Sequence, residues 1–390
     1  MTRRASATVA CAAAAAAVVI AGCGSKPADQ AAHPDSATVV PVASMNTSVG
    51  SAAGTWATVV MGGSAAQFNN FWQLFIRPTG ASTWKLVTPP GTADNGGLVL
   101  AAGSGPSAIT AFRPSQELTY TPLIQTTDGA HIWSALSPLD APLASTPAAL
   151  AVEPAGNGGL LALTTTGTAE QAGPTASKWA TLASVRTLSA TPVGRQCGLR
   201  ALTAVGYLPS GAPLLAGACS RPGIAGVFAD QDGSWEAAGP AVPSSLAGQD
   251  VDVLRLLTAG RQTVALLKAG TGRDTSLLVA WSGAAAGQWS VSPPLELHGA
   301  ALTSASFGPA GTVAAVTSGG TAAVITNSAS SWQRLPALPP GSATLALSTA
   351  GADALAVHES TLTVWQLAAS GQAWTRAQVI NVPIEYGSSS

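Results

Sequence analysis

Tryptophan recurs at near-regular intervals along this 390-residue chain, each time after a short run of small residues typical of a turn. Seven tryptophans share this setting, and successive ones are 49, 46, 56, 54, 43 and 42 residues apart, about 48 on average. Self-similarity at such a period indicates a fold built from repeated supersecondary units. The seven positions are Trp84, Trp133, Trp179, Trp235, Trp289, Trp332 and Trp374.

Short apolar runs fill the interval before each marked tryptophan. The run 362–365 leads into the turn before Trp374, and runs such as 312–316 lie further upstream, often after a glycine. Gly, Thr and Pro interrupt the chain about every 8–12 residues, which is the spacing of short strands. A helix would need an uninterrupted apolar stripe over ten or more residues. We therefore predict an all-β chain with three or four strands in each block.

A single β-propeller of seven blades, each about 48 residues long, accounts for the period. Adjacent blades pack as twisted sheets, and a buried tryptophan covers roughly 150–250 Å², enough to fill the gap between them. Six or eight blades remain alternatives, whereas a pair of β-sandwiches would leave the regular intervals unexplained. We place the propeller at residues 55–386, followed by a tail at 387–390.

Charge is sparse and balanced. The chain has 17 Lys and Arg against 18 Asp and Glu, a net charge of −1, and only 9% of its residues are charged. A nucleic-acid-binding protein would need a basic surface that displaces counterions from phosphates, so we expect no nucleic-acid partner. An apolar fraction of 47% also argues against disorder through most of the chain.

The N-terminus has the layout of an export signal. Arg3 and Arg4 precede an apolar stretch, 9–20, that is too short to span a bilayer. The stretch ends in Ile-Ala-Gly-Cys at 20–23, which resembles the lipobox of bacterial lipoproteins. That resemblance implies a signal peptide at 1–22 and a diacylglycerol on Cys23. An ordinary signal peptide with a chance cysteine is the alternative.

Residues 23–54 are rich in Ser, Ala, Pro and Asp, and we expect a lipidated N-terminus followed by a flexible linker. Within it, 38–42 could add a strand, and we expect it to pair near the C-terminal strand 379–384 to close the ring. No other segment approaches the roughly 18 apolar residues of a membrane helix. The expected location is the outer face of the cell membrane, held there by lipid.

Two cysteines remain after the signal peptide and the lipidated Cys23 are set aside. Cys197 and Cys219 flank two runs, 201–207 and 213–218, that read as a hairpin around the turn 209–211. Export places them in an oxidising compartment, where such a pair is expected to form a disulfide. Two free buried thiols are the alternative.

One turn resembles the Asp-box of the BNR repeats found in sialidases and related propellers. Residues 126–133, Thr-Thr-Asp-Gly-Ala-His-Ile-Trp, keep the Ser/Thr, the Asp at Asp128 and the Trp at Trp133. A shortened version around Asp232 precedes Trp235. The resemblance covers short turns in a minority of the blades, and it implies a structural role in which the Asp hydrogen-bonds its own turn.

No catalytic constellation is evident in the sequence. A sialidase would need three positioned arginines, a tyrosine nucleophile with an acidic partner, and an aspartate, yet the tyrosines are only Tyr120, Tyr207 and Tyr386. The four histidines are scattered, so we expect no metal site and no cofactor. Arg195, Arg200 and Arg221 flank the expected disulfide and could make a basic spot on one rim.

Two functions remain open. The first is a non-catalytic surface lipoprotein whose propeller binds a protein partner or a cell-wall component. The alternative is an exported enzyme that acts on a glycan or wall polymer at the channel mouth, which rests on analogy of fold alone. Two carboxylates roughly 5–10 Å apart at one mouth would favour the enzyme. An uncharged channel filled by Ala, Val and Thr would favour binding.

Overall fold

The computed structural model describes residues 45–63, 70–89, 97–102, 107–112, 123–136, 147–154, 158–174, 178–259, 261–283, 288–327, 329–349, 351–368 and 371–383. All of them belong to the compact segment Ala37–Ser390. The expected signal peptide 1–22, Cys23, the segment 38–42 and the tail 387–390 lie outside the described residues.

Consecutive antiparallel strands dominate the described residues and fall into seven successive four-stranded groups, which we call units 1 to 7. Unit 1 contains β1 (Asn46–Ser51), β2 (Gly54–Gly62), β3 (Asn70–Pro78) and β4 (Lys85–Leu86). Unit 2 contains β5 (Leu98–Ala102), β6 (Ala108–Phe112), β7 (Leu123–Thr126) and β8 (Ser134–Ala135). Unit 3 contains β9 (Pro147–Val152), β10 (Leu160–Thr164), β11 (Thr168–Ala172) and β12 (Trp179–Ser184).

The later units repeat this order. Unit 4 contains β13 (Leu199–Tyr207), β14 (Pro213–Cys219), β15 (Gly226–Gln231) and β16 (Ser234–Ala237). Unit 5 contains β17 (Val251–Ala259), β18 (Gln262–Ala269), β19 (Ser276–Ser282) and β20 (Trp289–Val291), with the short β21 (Leu295–Glu296) also on β19. Unit 6 contains β22 (Leu302–Phe307), β23 (Val313–Thr317), β24 (Ala322–Ile325) and β25 (Gln333–Arg334). Unit 7 contains β26 (Ser342–Ser348), β27 (Gly351–His358), β28 (Thr361–Leu367) and β29 (Trp374–Asn381).

The hydrophobic core lies between the units rather than inside them. Seven buried clusters each combine residues of two neighbouring units, including a cluster between units 7 and 1. First strands of neighbouring units, such as β5 with β9 and β13 with β17, also contact one another. This is the arrangement of a β-propeller, with twisted sheets packed face to face around a central channel. The all-β propeller prediction is therefore confirmed.

One pairing departs from a simple ring. Strand β1 pairs antiparallel with β2 and also parallel with β22, with Asn46 opposite Ser304 and Val49 opposite Phe307. Units 1 and 6 thereby form one eight-stranded sheet. Strand β26 of unit 7 contacts both β1 and β22, and the Ser48 hydroxyl donates to the carbonyl of Leu345 in β26 at 2.8 Å.

The start of the sheet corrects the predicted linker. Strand β1 lies inside 23–54, so the linker prediction is wrong from Asn46 onwards. The run Asn-Thr-Ser-Val-Gly-Ser has few apolar residues, but Thr47 and Ser48 are buried and hydrogen-bond to neighbouring strands. These pairings satisfy the polar groups, which explains why a polar segment can form a central strand.

The described residues show how the first and last units meet. Unit 7 is formed entirely by C-terminal strands, with β29 on β28, and unit 1 entirely by N-terminal strands. The expected pairing of 379–384 with 38–42 lies outside the described residues. In the described part, units 7 and 1 meet through side chains and through β1.

Two short helices follow unit 3, a feature that the strand pattern did not predict. Helix α1 (Val185–Ser189) begins at the N-cap Ser184, and α2 (Pro192–Cys197) begins at Thr191. The second ends at Gly198, whose φ of 67° suits glycine. They account for much of the longest tryptophan interval, the 56 residues from Trp179 to Trp235. Among the described residues, no helix is long and apolar enough to cross a membrane.

Candidate functional site

The central channel contains a small cavity of about 40 Å³ bounded by the first strands of units 1 to 5. Its walls are mostly aliphatic, but Thr47 of β1 and Arg255 of β17 also line it. A cavity of this size holds a few water molecules or one small polar group. The remaining lining residues are Leu98, Val99, Leu100, Ala148, Ala149, Leu150, Thr203, Ala204, Val205, Leu254 and Leu256.

Arg255 is the distinctive group of the channel. Its Nη1 donates to the Thr47 hydroxyl, and its guanidinium carbon lies 5.0 Å from the centre of the Phe307 ring, within cation–π range. The ion pairs among the described residues are Arg77–Asp353 and Lys268–Asp252, so no described carboxylate neutralises Arg255. Burial lowers the pKa of Arg255 to about 10, which still leaves it charged at neutral pH.

A wider cavity of about 480 Å³ forms one mouth of the channel. It is lined where the first strands end, and units 1, 2, 3, 5 and 6 contribute residues. Taken together, the two cavities are lined by described residues of units 1 to 6. Strand β1 pairs with β22 of unit 6, and β26 of unit 7 contributes no described residue to either lining. The mouth is lined by Gly50, Ser51, Ala52, Ala102, Val152, Pro154, Leu257, Thr258, Arg261, Gln262, Gly308, Pro309 and Ala310.

The mouth is positive rather than acidic. Arg261 is exposed at the turn between β17 and β18, and none of the described lining residues carries a carboxylate. The paired carboxylates expected for a glycoside hydrolase are therefore not found in the described lining of either cavity. The uncharged channel expected for a binding protein is not found either, because Arg255 and Arg261 occupy it.

Tyr207 lies at the end of β13, on the side of the mouth. Its side chain is 1% exposed and its hydroxyl has no hydrogen-bond partner in the described part of the chain. Burial raises its pKa, and the charge of Glu153 raises it further. Glu153 itself accepts a hydrogen bond from the backbone N–H of Gly159 at 3.2 Å. The Tyr207 phenol is therefore enclosed by the protein rather than exposed at the channel mouth.

Each of the seven repeated tryptophans packs in a different cluster between two units. The cluster joins its own unit to the preceding one, with unit 7 preceding unit 1. Four indole N–H groups also donate across that interface. These bonds run from Trp84 to the Asp353 carboxylate at 2.8 Å, Trp289 to the Ala238 carbonyl at 2.6 Å, Trp332 to the Pro293 carbonyl at 2.9 Å and Trp374 to the Pro336 carbonyl at 3.5 Å.

The other three tryptophans pack without a described indole hydrogen bond. Trp133 meets Trp56 of unit 1 edge to face, with ring centres 6.3 Å apart. Trp179 packs against units 2 and 3, and Trp235 packs against units 3 and 4.

The Asp-box-like turn of unit 2 is organised by Asp128. Its Oδ1 accepts from the Thr126 hydroxyl at 2.8 Å and from the backbone N–H groups of His131 and Ile132, both at 3.0 Å. The Ile132 N–H and then the Thr126 hydroxyl lower the pKa of this carboxyl below its ordinary value. Asp128 therefore serves the geometry of its own turn.

The shortened motif implies that Asp232 hydrogen-bonds its own turn, but the structure gives that role to another residue. The carboxylate that accepts from the turn is Asp230, from the N–H of Gly233 at 2.9 Å. Asp232 and Gly233 are the two central residues of the β15–β16 hairpin, with φ of 53° and 85°. These values are typical of the type I′ turn that Asp-Gly favours.

Cys197 and Cys219 form the expected disulfide, with their Cα atoms 5.2 Å apart. It links the end of α2 to the end of β14. Of the three nearby arginines, Arg195 donates to the Ala190 carbonyl and Arg200 to the Cys219 carbonyl at 3.1 Å. Arg221 is exposed. Two of the three guanidiniums therefore bind backbone carbonyls of the rim.

No group of three or more His, Cys, Asp or Glu gathers in the described residues as it would around a metal ion. Of the tyrosines that a sialidase could have used, Tyr120 and Tyr386 lie outside those residues. Sequence reasoning missed Arg255. A signal was present, since one arginine interrupts the strand Val-Asp-Val-Leu-Arg-Leu-Leu at 251–257.

Comparison with protein-family models finds no match, and comparison with curated proteins finds none either. Solved structures of low identity do resemble the chain. A protein from Lactobacillus plantarum is 13% identical, with a TM-score of 0.48 over 84% of this chain and 96% of that one. The β-propeller domain of Cps50 (Swd1) from Myceliophteria thermophila is 14% identical, with a TM-score of 0.45 over 83% and 93%. YCF48 bound to D1 peptide is 15% identical, with a TM-score of 0.42 over 75% and 81%.

Proposed function

We propose that this chain is a non-catalytic, lipid-anchored extracytoplasmic protein that holds a ligand or partner at the channel mouth. The observation that carries the proposal is the cavity of about 480 Å³ lined by residues of five units. Its volume lies in the range of about 300–1,000 Å³ typical of ligand sites. The walls are largely apolar and carry a few polar groups, namely Ser51, Thr258 and Gln262. Such a lining can bind the apolar part of a ligand and orient its polar part.

Support for a non-catalytic role comes from the groups that line the channel. General acid–base chemistry requires groups that exchange protons near neutral pH, typically His or a tuned carboxylate. The described lining offers two arginines, hydroxyls and one amide, Gln262. These groups bind and orient ligands, and the described linings of the channel and its mouth contain no His or carboxylate that the enzyme alternative would use.

The anchor is proposed from the sequence alone. Ile-Ala-Gly-Cys at 20–23 would place lipid on Cys23, and 24–45 would separate the first strand from the membrane. One acyl chain gives only marginal membrane binding, so two chains on one residue provide a stable attachment. The test is incorporation of labelled palmitate followed by membrane fractionation of wild type, Cys23→Ala and Cys11→Ala. We expect Cys23→Ala alone to lose both label and membrane retention. Unchanged label in Cys23→Ala would refute the anchor.

Binding at the mouth is tested by photocrosslinking in living cells. A benzoylphenylalanine is placed at Gln262 in the mouth or, as a matched polar position far from it, at Thr375 on the outer strand β29. We expect a discrete adduct from position 262 and none of the same mass from 375. Equal adducts from both positions, or none from 262, would contradict the proposed site.

A further inference from the structure

A partly buried arginine, Arg255, lines the small cavity beneath the mouth, in the same channel. Four strands pass from the small cavity to the mouth in the same direction. On β1 the lining runs from Thr47 to Ser51, on β5 from 98 to 102, on β9 from 148 to 152, and on β17 from Arg255 to Thr258. Strands rise about 3.3 Å per residue, so the backbone at Arg255 lies within about 10 Å of the mouth lining on the same strand.

The partial removal of this charge from water has little compensation in the described residues. Arg255 donates to the Thr47 hydroxyl and lies over the face of the Phe307 ring, and no described carboxylate pairs with it. A guanidinium has five N–H donors, so several remain to be satisfied. Buried charges are normally paired because an unpaired charge is expensive to remove from water. An anion entering from the mouth would supply the missing partner.

The shapes and charges of the two cavities restrict that anion. The inner cavity of about 40 Å³ admits only a small head group, whereas the mouth of about 480 Å³ accepts a larger body. Much of the mouth lining is apolar, including Val152, Leu257 and Pro309. The planar fork of a guanidinium matches a carboxylate in two parallel hydrogen bonds.

We propose that the channel binds an amphiphilic organic carboxylate, with its carboxylate on Arg255 and its apolar body in the mouth. This deepens the proposed function by naming the ligand class. Arg261 at the rim attracts the same charge before the ligand enters.

Three probes with one alkyl chain test the proposal: octanoate, octanol and octyl phosphate. Each is titrated by isothermal calorimetry into the chain carrying Cys23→Ala, which lacks the proposed lipid site and keeps every described residue. We expect octanoate to bind about 10-fold or more tightly than octanol, the difference expected from a charge-assisted hydrogen bond. This comparison needs no change at Arg255. Equal affinities would overturn the proposal. Tighter binding of octyl phosphate than of octanoate would overturn the assignment to carboxylates.

Variants then locate the contact. Arg255→Met should weaken octanoate binding about 10-fold or more and leave octanol unchanged. Arg376→Met removes an exposed arginine of β29 and should change neither affinity. Equal octanoate losses in both variants would mean non-specific attraction and would refute the site. The crosslinking at Gln262 is independent, so a mouth adduct without octanoate binding would overturn this inference and leave the proposed function standing.

Discussion

Arg77 of unit 1 and Asp353 of unit 7 form a buried ion pair in which Nη1 lies 2.5 Å from Oδ2. The same oxygen accepts the indole N–H of Trp84 at 2.8 Å, and the guanidinium lies 5.6 Å from the Trp84 ring centre. Burial raises the pKa of Asp353, and the charge of Arg77 only partly offsets this. The last unit is therefore joined to the first through one shared carboxylate.

Replacing Asp353 with Ala should destabilise the protein strongly, because it leaves the Arg77 guanidinium buried without its partner. Breaking a buried pair from one side costs about 3–5 kcal/mol. The measurement is the free energy of unfolding from urea denaturation. The matched control is Asp252→Ala, which breaks the pair with Lys268 at 3.1 Å. That pair is more exposed and should contribute about 0–1 kcal/mol. Similar losses in the two variants would contradict the structural role of Asp353.

The indole N–H groups allow a second test, which compares tryptophans at corresponding positions in two different units. Trp289→Phe removes the donor to the Ala238 carbonyl and should cost about 1 kcal/mol or more. Trp179 is the comparison, because its buried Nε1 has no hydrogen-bond partner among the described residues. Trp179→Phe should therefore cost less than Trp289→Phe in chemical denaturation. A larger loss in Trp179→Phe would show that ring area, not the hydrogen bond, dominates at these positions.

The burial of Tyr207 predicts that the stability of the protein depends on pH under alkaline conditions. Its pKa is raised in the folded state, so above about pH 10 the unfolded chain loses a proton that the folded chain keeps. Below pH 10 the phenol is protonated in both states and stability does not depend on its titration, whereas stability should fall as the pH rises above that value. Tyrosinate absorbance near 295 nm should show one phenol that ionises only on unfolding.

Tyr207→Phe is the control for that titration. The variant should lose the delayed ionisation and keep its stability at neutral pH, because the buried hydroxyl has no described partner. Full ionisation of all tyrosines in the folded wild type near pH 10 would refute the burial argument.

The disulfide gives a fourth prediction. Cys197 and Cys219 are 22 residues apart, and a loop of that length predicts a stabilisation of about 3 kcal/mol from restriction of the unfolded chain. Cys197→Ser with Cys219→Ser should lower the melting temperature in calorimetry by several degrees. Reductant should then have no further effect on the double variant. An unchanged melting temperature would indicate that packing around α2 alone holds this segment.

The strand content and the propeller could be predicted because they depend on local patterns. The hairpin of 201–207 and 213–218 corresponds closely to β13 and β14, since turn residues and alternating apolar residues mark it within one short stretch. The disulfide followed from the same local reading. The helices α1 and α2 were missed, although Thr191-Pro192 and Gly198 are ordinary start and stop signals.

The pairing of β1 with β22 could not be predicted in the same way. Asn46 lies opposite Ser304, and nothing in a polar six-residue run specifies a partner so far along the chain. The channel site shares this limit. Arg255 was visible as an arginine within an otherwise mostly apolar strand, but its contacts with Thr47 and Phe307 bring together residues of three separate units.

The position of β1 also determines how the fold bears mechanical load. Under the proposed tether, a pull along the axis of β1 would enter the described fold at Asn46. Because β1 lies between β2 and β22, that force would shear two rows of hydrogen bonds at once. Bonds loaded together in shear resist extension far better than bonds opened one at a time. Strand β1 is therefore the described strand in which backbone pairing on both sides would resist such a pull.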